Sequence, residues 1–374
     1  MSGAPVPVTV LTGFLGAGKT TLLNRLLKDA ALADTAVVIN EFGEVAVDHL
    51  LVEQASDGII QLADGCLCCS VRGELVDTLA DLADRLQTGR IAKLGRVVVE
   101  TTGLADPAPV LQSIMAHPAL LQAYRLDGVV TLVDAVNGAA ALDAHPEAVR
   151  QVAVADRLVV SKQDIADPAA LRGLTQRLRK LNPRADIVAA ADEGIAALVT
   201  SCGVYDPATK TADARRWLGE AAAHHHDHDV HDHNDHVHDH DGHGHHHHHH
   251  AHDDRISSMS LVHDGPLPYA ALETFLDLLR SVHGDKLLRL KGIVELAEQP
   301  ERPLVIHGVQ KLFHPPARLP AWPDDGRGAR IVLIGFDLAE QHVRRLWAAI
   351  TNQPAIDQPD RAAIEHNPLA IPGM

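Results

Sequence analysis

Aromatic side chains are scarce, at 3% of 374 residues, so the cores must be assembled from Ala, Val, Leu and Ile, and stacking platforms for nucleobases are not expected. Basic charge is also in deficit. Lys and Arg total 33 against 49 Asp and Glu, a formal charge of -16 that repels phosphate backbones and anionic lipid. Neither nucleic acid nor a membrane surface is an expected partner. No apolar run approaches the ~18 residues of a membrane span. A glycine-rich pattern already begins at Gly13, which leaves little room for a leader and points to a cytoplasmic protein. There are four cysteines, too few and too crowded for a disulfide framework: Cys66, Cys68 and Cys69 fall within one short stretch, as a metal site in a reducing compartment requires. Cys202 stands apart beside Leu198 and Val199 and reads as a small buried hydrophobe.

The length suits two domains. Between residues 6 and 191, short β-branched runs (8–11, 36–39, 97–99, 129–133, 158–160 and 187–189) alternate with helical periods. Leu22, Leu23, Leu26 and Leu27 share one helical face, as do Leu75, Leu79, Leu82 and Leu86. Such alternation predicts an α/β domain over 1–205, with a doubly wound, mostly parallel sheet and ligands at the carboxyl ends of its strands. Residues 206–255 change character: 17 of the 26 histidines lie in 224–252, interleaved with Asp and Gly. This composition predicts a flexible linker that cannot bury a core. Strands are expected again at 256–262, 287–296, 304–313 and 330–336, with helices around 272–282 and 338–350. Adjacent strands predict a small α+β C-terminal domain over 256–352 with an antiparallel sheet, followed by a loosely packed tail at 353–374.

The first chemical signal is the stretch Gly13, Phe14, Leu15, Gly16, Ala17, Gly18, Lys19, Thr20, which follows a strand and opens a helix. In that context G-x-x-x-x-G-K-[ST] is a phosphate-binding P-loop. The glycines let backbone N–H groups face the phosphates, and Lys19 reaches the β and γ phosphates. The Thr20 hydroxyl ligates Mg²⁺, with Thr21 next in the helix. The second signal is an apolar strand that ends in Glu100, Thr101, Thr102 and Gly103. Glu100 can hold Mg²⁺ through water, and the Gly103 N–H can meet a γ phosphate, as in GTPase switch loops. The third is Ser161, Lys162, Gln163 and Asp164, close to the guanine-reading N-K-x-D. The Asp164 carboxylate can accept from guanine N1–H and the 2-amino group, which adenine does not offer, so GTP is expected over ATP. Lys162 would lie along the base and ribose. No evident glutamine or arginine is placed to position the attacking water, so turnover without a partner should be slow.

Cys66, Cys68 and Cys69 supply three soft thiolates from one loop, a donor set that favours Zn²⁺ or Cu⁺ over Mg²⁺. Zinc wants a fourth ligand. Glu41 and Glu44 are candidates, equally readable as solvated or Mg²⁺-linked switch carboxylates. His117, before Pro118, is another, equally readable as a surface histidine at a helix end. The cysteines lie between residues 40–44 and 100–103, the segments expected to tighten around a γ phosphate, so metal geometry can follow nucleotide state. The histidine-rich stretch offers weak, unselective metal capture that could feed this site, or serves as a solvated spacer.

Taken in order, the P-loop, N-E-F-G-E at 40–44, G-C-L-C-C-S at 65–70, E-T-T-G with L-A-D-P after it, L-V-D-A-V at 132–136 and S-K-Q-D at 161–164 resemble the CobW-type GTPases. The zinc metallochaperone branch is the nearer likeness, and a CobW-type C-terminal domain would cover 256–350. The resemblance implies that residues 13–20 bind phosphates and Mg²⁺, that Cys66, Cys68 and Cys69 bind metal, and that 161–164 read the base. Ser161 stands where Asn is usual. Ile39 precedes Asn40 where some relatives carry a carboxylate, so that ligand is excluded here. The expected function is a GTP-hydrolysing carrier that passes Zn²⁺ to a client metalloprotein. The alternatives are cobalt or nickel delivery and a passive metal buffer, and the oligomeric state is left open.

Overall fold

The computed structural model describes residues 5–40, 59–61, 70–200, 202, 205–206, 211–212, 255–323 and 326–352. Seven strands form the first sheet: β1 (Val6–Gly13), β2 (Thr35–Asn40), β3 (Ile59–Gln61), β4 (Arg96–Thr101), β5 (Tyr124–Asp134), β6 (Arg157–Ser161) and β7 (Asp186–Ala189). Their order is β3-β2-β4-β1-β5-β6-β7, and every neighbouring pair is parallel. The sheet is thus wholly parallel where the sequence indicated mostly parallel. All six expected strands form, and the three-residue β3 is added; so short a run carries no periodicity to read.

The helices around this sheet are α1 (Lys19–Leu27), α2 (Ser70–Gln87), α3 (Ala108–Ala116), α4 (Pro118–Ala123), α5 (Gly138–Ala144), α6 (Pro146–Val154), α7 (Pro168–Leu181) and α8 (Ile195–Val199). They cover both faces, because alternate residues of a buried strand must each find an apolar layer. Val8 and Val10 of β1 share a core with Leu75, Leu79 and Leu82 of α2 and Leu111 of α3. Leu11 of the same strand packs with Leu22, Leu23 and Leu26 of α1 and with Val199 of α8. The leucine spacing read from the sequence is therefore what attaches α1 and α2. Cys202 is buried in that second core, as expected of a small hydrophobe.

A two-residue ladder, β8 (Tyr205–Asp206) with β9 (Thr211–Ala212), falls at the start of the stretch expected to be a linker. The histidine-rich residues 224–252 and the tail 353–374 lie outside the described residues.

The second sheet holds β10 (Ile256–His263), β11 (Leu287–Val294), β12 (Leu304–Val309), β13 (Leu312–Phe313), β14 (Ala317–Arg318) and β15 (Ala329–Phe336). Its order is β10-β15-β11-β12-β13, with β14 also on β12, and all its pairings are antiparallel. The single strand expected at 304–313 is instead a hairpin. Its turn runs through Gln310, which takes a left-handed φ of 54°, and Gly308 leaves room for the Phe313 ring. Gln-Lys is not a pair that signals such a turn, so the apolar run read as continuous.

One face of this sheet takes α9 (Tyr269–His283) and α10 (Glu340–Ile350), where Phe275 meets Trp347 edge-on at 4.9 Å. From the other face, Leu288, Val309 and Ile334 enter the core that holds Val8 and Leu111. Polar contacts pin the same junction. Arg289 reaches Asp156 at 3.1 Å, Lys291 pairs with the same carboxylate, and the Gln112 amide donates to Gln310 at 2.8 Å. Asp156 immediately precedes β6, so the C-terminal sheet is pinned near the amino ends of the parallel strands. The carboxyl ends, where ligands of such sheets bind, lie at the other end.

Candidate nucleotide and metal site

β1 ends at Gly13 with φ 144°, and a side chain there would lie 2.5 Å from the Leu132 carbonyl of the neighbouring strand. Only glycine lets the chain leave the strand at that point. Gly18, at φ 92°, turns the chain into α1, so the amides of residues 14–19 wrap the helix N-terminus. Ala17 is buried and closes an N–H bond onto Phe14 O at 3.2 Å. The Lys19 ammonium donates to Gly13 O at 2.9 Å and Phe14 O at 3.3 Å and so stands across the loop. Thr20 is half-buried and Thr21 exposed on the first turn.

Two other strands of the sheet, β4 and β6, bring the remaining elements to this loop. β4 pairs with β1 so that Glu100 sits opposite Leu11, and Thr101 Oγ1 donates to Thr12 Oγ1 at 2.8 Å. Glu100 is buried at the strand end. Gly103 follows so close to the P-loop that a Cβ would meet Leu15 N at 2.7 Å and Leu15 Cα at 2.8 Å. The second and first signals thus converge, as a γ phosphate shared between them requires. Thr20 and Glu100 also bring a hydroxyl and a carboxylate to this end, the hard oxygen donors that Mg²⁺ takes.

On the far side, β6 delivers Ser161. Its hydroxyl donates to Ala17 O at 2.7 Å and the residue is buried. In this arrangement Ser161, which stands where Asn is usual, ties the 161–164 loop to the P-loop. Lys162 takes a left-handed φ of 56° and donates to Asp134 at 2.7 Å. Burial alone would raise the Asp134 carboxyl. Lys162, Asn137 and two backbone N–H groups outweigh it and hold the carboxyl below its usual range. Asp164 projects into solvent from the turn after Lys162.

The structure therefore gathers Gly13, Gly16, Ala17, Gly18, Lys19, Thr20, Glu100, Gly103, Ser161, Lys162 and Asp164 at one end of the sheet, on strand ends, the loops that follow them and the first turn of α1. His117 is exposed at the α3–α4 junction, with Pro118 opening α4. Cys66, Cys68, Cys69, Glu41 and Glu44 lie outside the described residues, although β3 ends at Gln61 and α2 begins at Ser70. α2 itself is firmly seated, through Leu75, Leu79 and Leu82 and through Tyr124 Oη, which donates to Leu79 O at 2.8 Å. Among the described residues no cluster of three or more His, Cys, Asp or Glu could hold a metal. None of their helices is long and apolar enough to cross a membrane.

Sequence reasoning missed two residues that matter here. Asp134 was visible only as part of L-V-D-A-V, and nothing local shows that it faces Lys162, 28 positions away. Gln151 gave no signal: it looks like an ordinary polar residue of an amphipathic helix, yet it is buried and bonded to the Gly103 loop.

A parallel sheet with a P-loop at the carboxyl end of its central strand, flanked by the loops at 102–105 and 161–164, defines a P-loop GTPase domain. Residues 7–189 match the CobW/HypB/UreG nucleotide-binding domain, and residues 256–351 match the cobalamin synthesis protein cobW C-terminal domain. The chain belongs to the CobW/HypB/UreG family. It is 35% identical over 350 residues to the zinc chaperone YjiA of Escherichia coli, covering 92% of this chain and 99% of that one. It is 32% identical to the zinc chaperone CobW of Pseudomonas aeruginosa, covering 94% and 91% respectively. Among solved structures, the Zn(II)-bound YjiA GTPase from E. coli matches 93% of this chain and 99% of that chain, with a TM-score of 0.58 and 30% identity.

Proposed function

We propose that this protein is a GTP-hydrolysing metallochaperone that binds Zn²⁺ through Cys66, Cys68 and Cys69 and passes it to a client metalloprotein. The observation that carries the reading is the close approach of Gly103 to Leu15 of the P-loop. A γ phosphate bound at the P-loop would therefore set the position of the loop after β4. The three cysteines lie in the chain between residues 40–44 and 100–103, the two segments expected to respond to a γ phosphate, so metal geometry can follow nucleotide state. Mg²⁺ would be held by Thr20 and, through water, by Glu100, and would neutralise charge developing on the phosphates. Asp164 would select guanine and Lys162 would lie along the base. Hydrolysis then times release rather than serving a metabolic conversion. The relatives named as zinc chaperones favour zinc over cobalt or nickel, in line with the soft thiolate set.

Linkage makes the reading testable: if GTP changes zinc affinity by some factor, zinc must change GTP affinity by the same factor, typically about 5- to 150-fold. Zinc competition titrations with and without a non-hydrolysable GTP analogue, on protein lacking residues 224–252, should show that factor. The triple variant with Cys66→Ser, Cys68→Ser and Cys69→Ser should lose it while still binding GTP. Independent zinc and GTP affinities would reduce the protein to a metal buffer beside a GTPase and defeat the delivery mechanism.

A further inference from the structure

Helix α6 reaches the loop after β4 through one buried side chain. Gln151 is 1% exposed. Its Nε2 donates to Gly103 O at 3.1 Å and to Ala105 O at 3.0 Å, spending both amide hydrogens on the loop that follows β4. Its own backbone carbonyl accepts from Thr131 Oγ1 at 2.7 Å, which fixes the residue to β5. At the start of the helix, His145 stacks on Phe14 of the P-loop with ring centroids 4.5 Å apart. Between these contacts lies a cavity of about 380 Å³, lined by Phe14, Leu15, Thr131, Lys162 and Gln151 among others. Two carbonyls bracketing Leu104, which is itself exposed, are gripped by one amide.

From this geometry we infer that Gln151 is a positioning residue for GTP recognition: by holding the carbonyls of Gly103 and Ala105 it keeps the Gly103 N–H aimed at the γ phosphate. The inference rests on the proposed role of Gly103 and adds a residue to it. Gln151 touches no nucleotide itself. A carbonyl oxygen accepts and never donates, so only a side chain with two N–H donors in this place can grip both at once. The α and β phosphates would be served by the P-loop amides, to which Gln151 makes no hydrogen bond. Loss of the Gln151 grip should therefore weaken binding of a GTP analogue and leave GDP almost unaffected.

The experiment compares GDP and a non-hydrolysable GTP analogue on the full chain, wild type against Gln151→Met and Gln151→Glu, two changes of similar size. With Gln151→Met the preference for the analogue over GDP should fall about tenfold, the loss of one hydrogen bond to a charged group. GDP affinity should stay within about threefold, and turnover should fall with the preference. In Gln151→Glu the ionised carboxylate repels both carbonyls, whereas the protonated form donates to one. Its preference should therefore recover as pH falls, measured relative to wild type at each pH. A merely structural role would lower both affinities together and give no such pH profile. Wild-type preference in Gln151→Met, or parallel pH profiles for wild type and Gln151→Glu, would overturn the inference. If neither variant folds, hydrogen exchange on the wild type decides: residues 102–106 should slow with the analogue and not with GDP, and equal protection by both overturns it. If the wild type itself shows no preference for the analogue, the γ-phosphate reading of Gly103 fails first.

Discussion

Replacing Asp156 tests the junction between the two sheets most directly. Its side chain is 3% exposed and faces Arg289 at 5% and Lys291 at 12%. Asp156 Oδ2 also accepts from Val129 N at 2.7 Å. Burial alone would raise the carboxyl. The adjacent Arg289 and Lys291 outweigh it and hold it below its usual range. Asp156→Ala removes the carboxylate that pairs with both Arg289 and Lys291, and Arg289 already has Nε and Nη1 buried without a hydrogen-bond partner among the described residues. Breaking such a group from one side costs about 3–5 kcal/mol. At roughly 2–4 °C per kcal/mol for domains of this size, the melting midpoint should drop by about 6–20 °C. Asp156→Asn keeps an acceptor for Val129 and should lose less. Combining Asp156→Ala with Arg289→Met removes a stranded cation and should recover part of the loss, because replacing a buried ion pair with apolar groups is often neutral. Calorimetric melts and urea titrations of wild type, both single variants and the double variant form the cycle. A melt within about 2 °C of wild type for Asp156→Ala would refute the reasoning. So would an Arg289→Met effect of the same sign and size in both backgrounds.

Lys19→Ala should abolish measurable GTP binding with an unchanged circular dichroism spectrum, since its ammonium bonds loop carbonyls rather than packing a core; turnover in the folded variant would contradict the site. Gly103→Ala drives a methyl against Leu15 backbone atoms that cannot rotate away, and a displacement of about 1 Å at a reacting group costs roughly 10²-fold in rate, so single-turnover hydrolysis should fall by about that factor. Cys202, with its thiol pushed up to about 12 by burial, should resist alkylation in the native protein and react only after denaturation, which mass spectrometry of the labelled peptide can follow. His307 keeps part of its surface exposed, yet burial of its ring beside His314 and Arg289 holds its pKa well below the usual range, and burial lowers His314 as well. Below about pH 6.5 the unfolded chain therefore binds protons more readily than the folded one, and stability should fall as pH drops. Urea midpoints should be lower at pH 5.5 than at pH 7.5, and His307→Asn should narrow the gap; a midpoint that rises on acidification would contradict the assignment.

The sequence by itself determined the phosphate end of this protein, because each element there is local. A P-loop is contiguous, its glycines are demanded by left-handed angles at neighbouring positions, and an apolar strand ending in Glu100 and Gly103 carries its chemistry within a few residues. The strands at 8–11, 97–99 and 158–160 were legible for a related reason: strands buried on both faces are written as unbroken β-branched runs. Only the tertiary structure decided what those loops lean on. Gln151 meets Gly103 across 48 positions and Arg289 meets Asp156 across 133, and no spacing rule connects residues that distant. Ser161 shows the division within a single residue. Its place in S-K-Q-D was plain from the chain, but the choice between contacting a base and bonding Ala17 O depended on how β6 sits beside the P-loop, two strands away from β1. Turn chemistry hid the hairpin at Gln310 in the same way, since a left-handed residue without Gly or Asn is imposed by the register of β12 and β13 rather than announced by composition. Local backbone demands and burial patterns are written along the chain, whereas charge pairing and side-chain grips between distant segments exist only once the sheets have stacked.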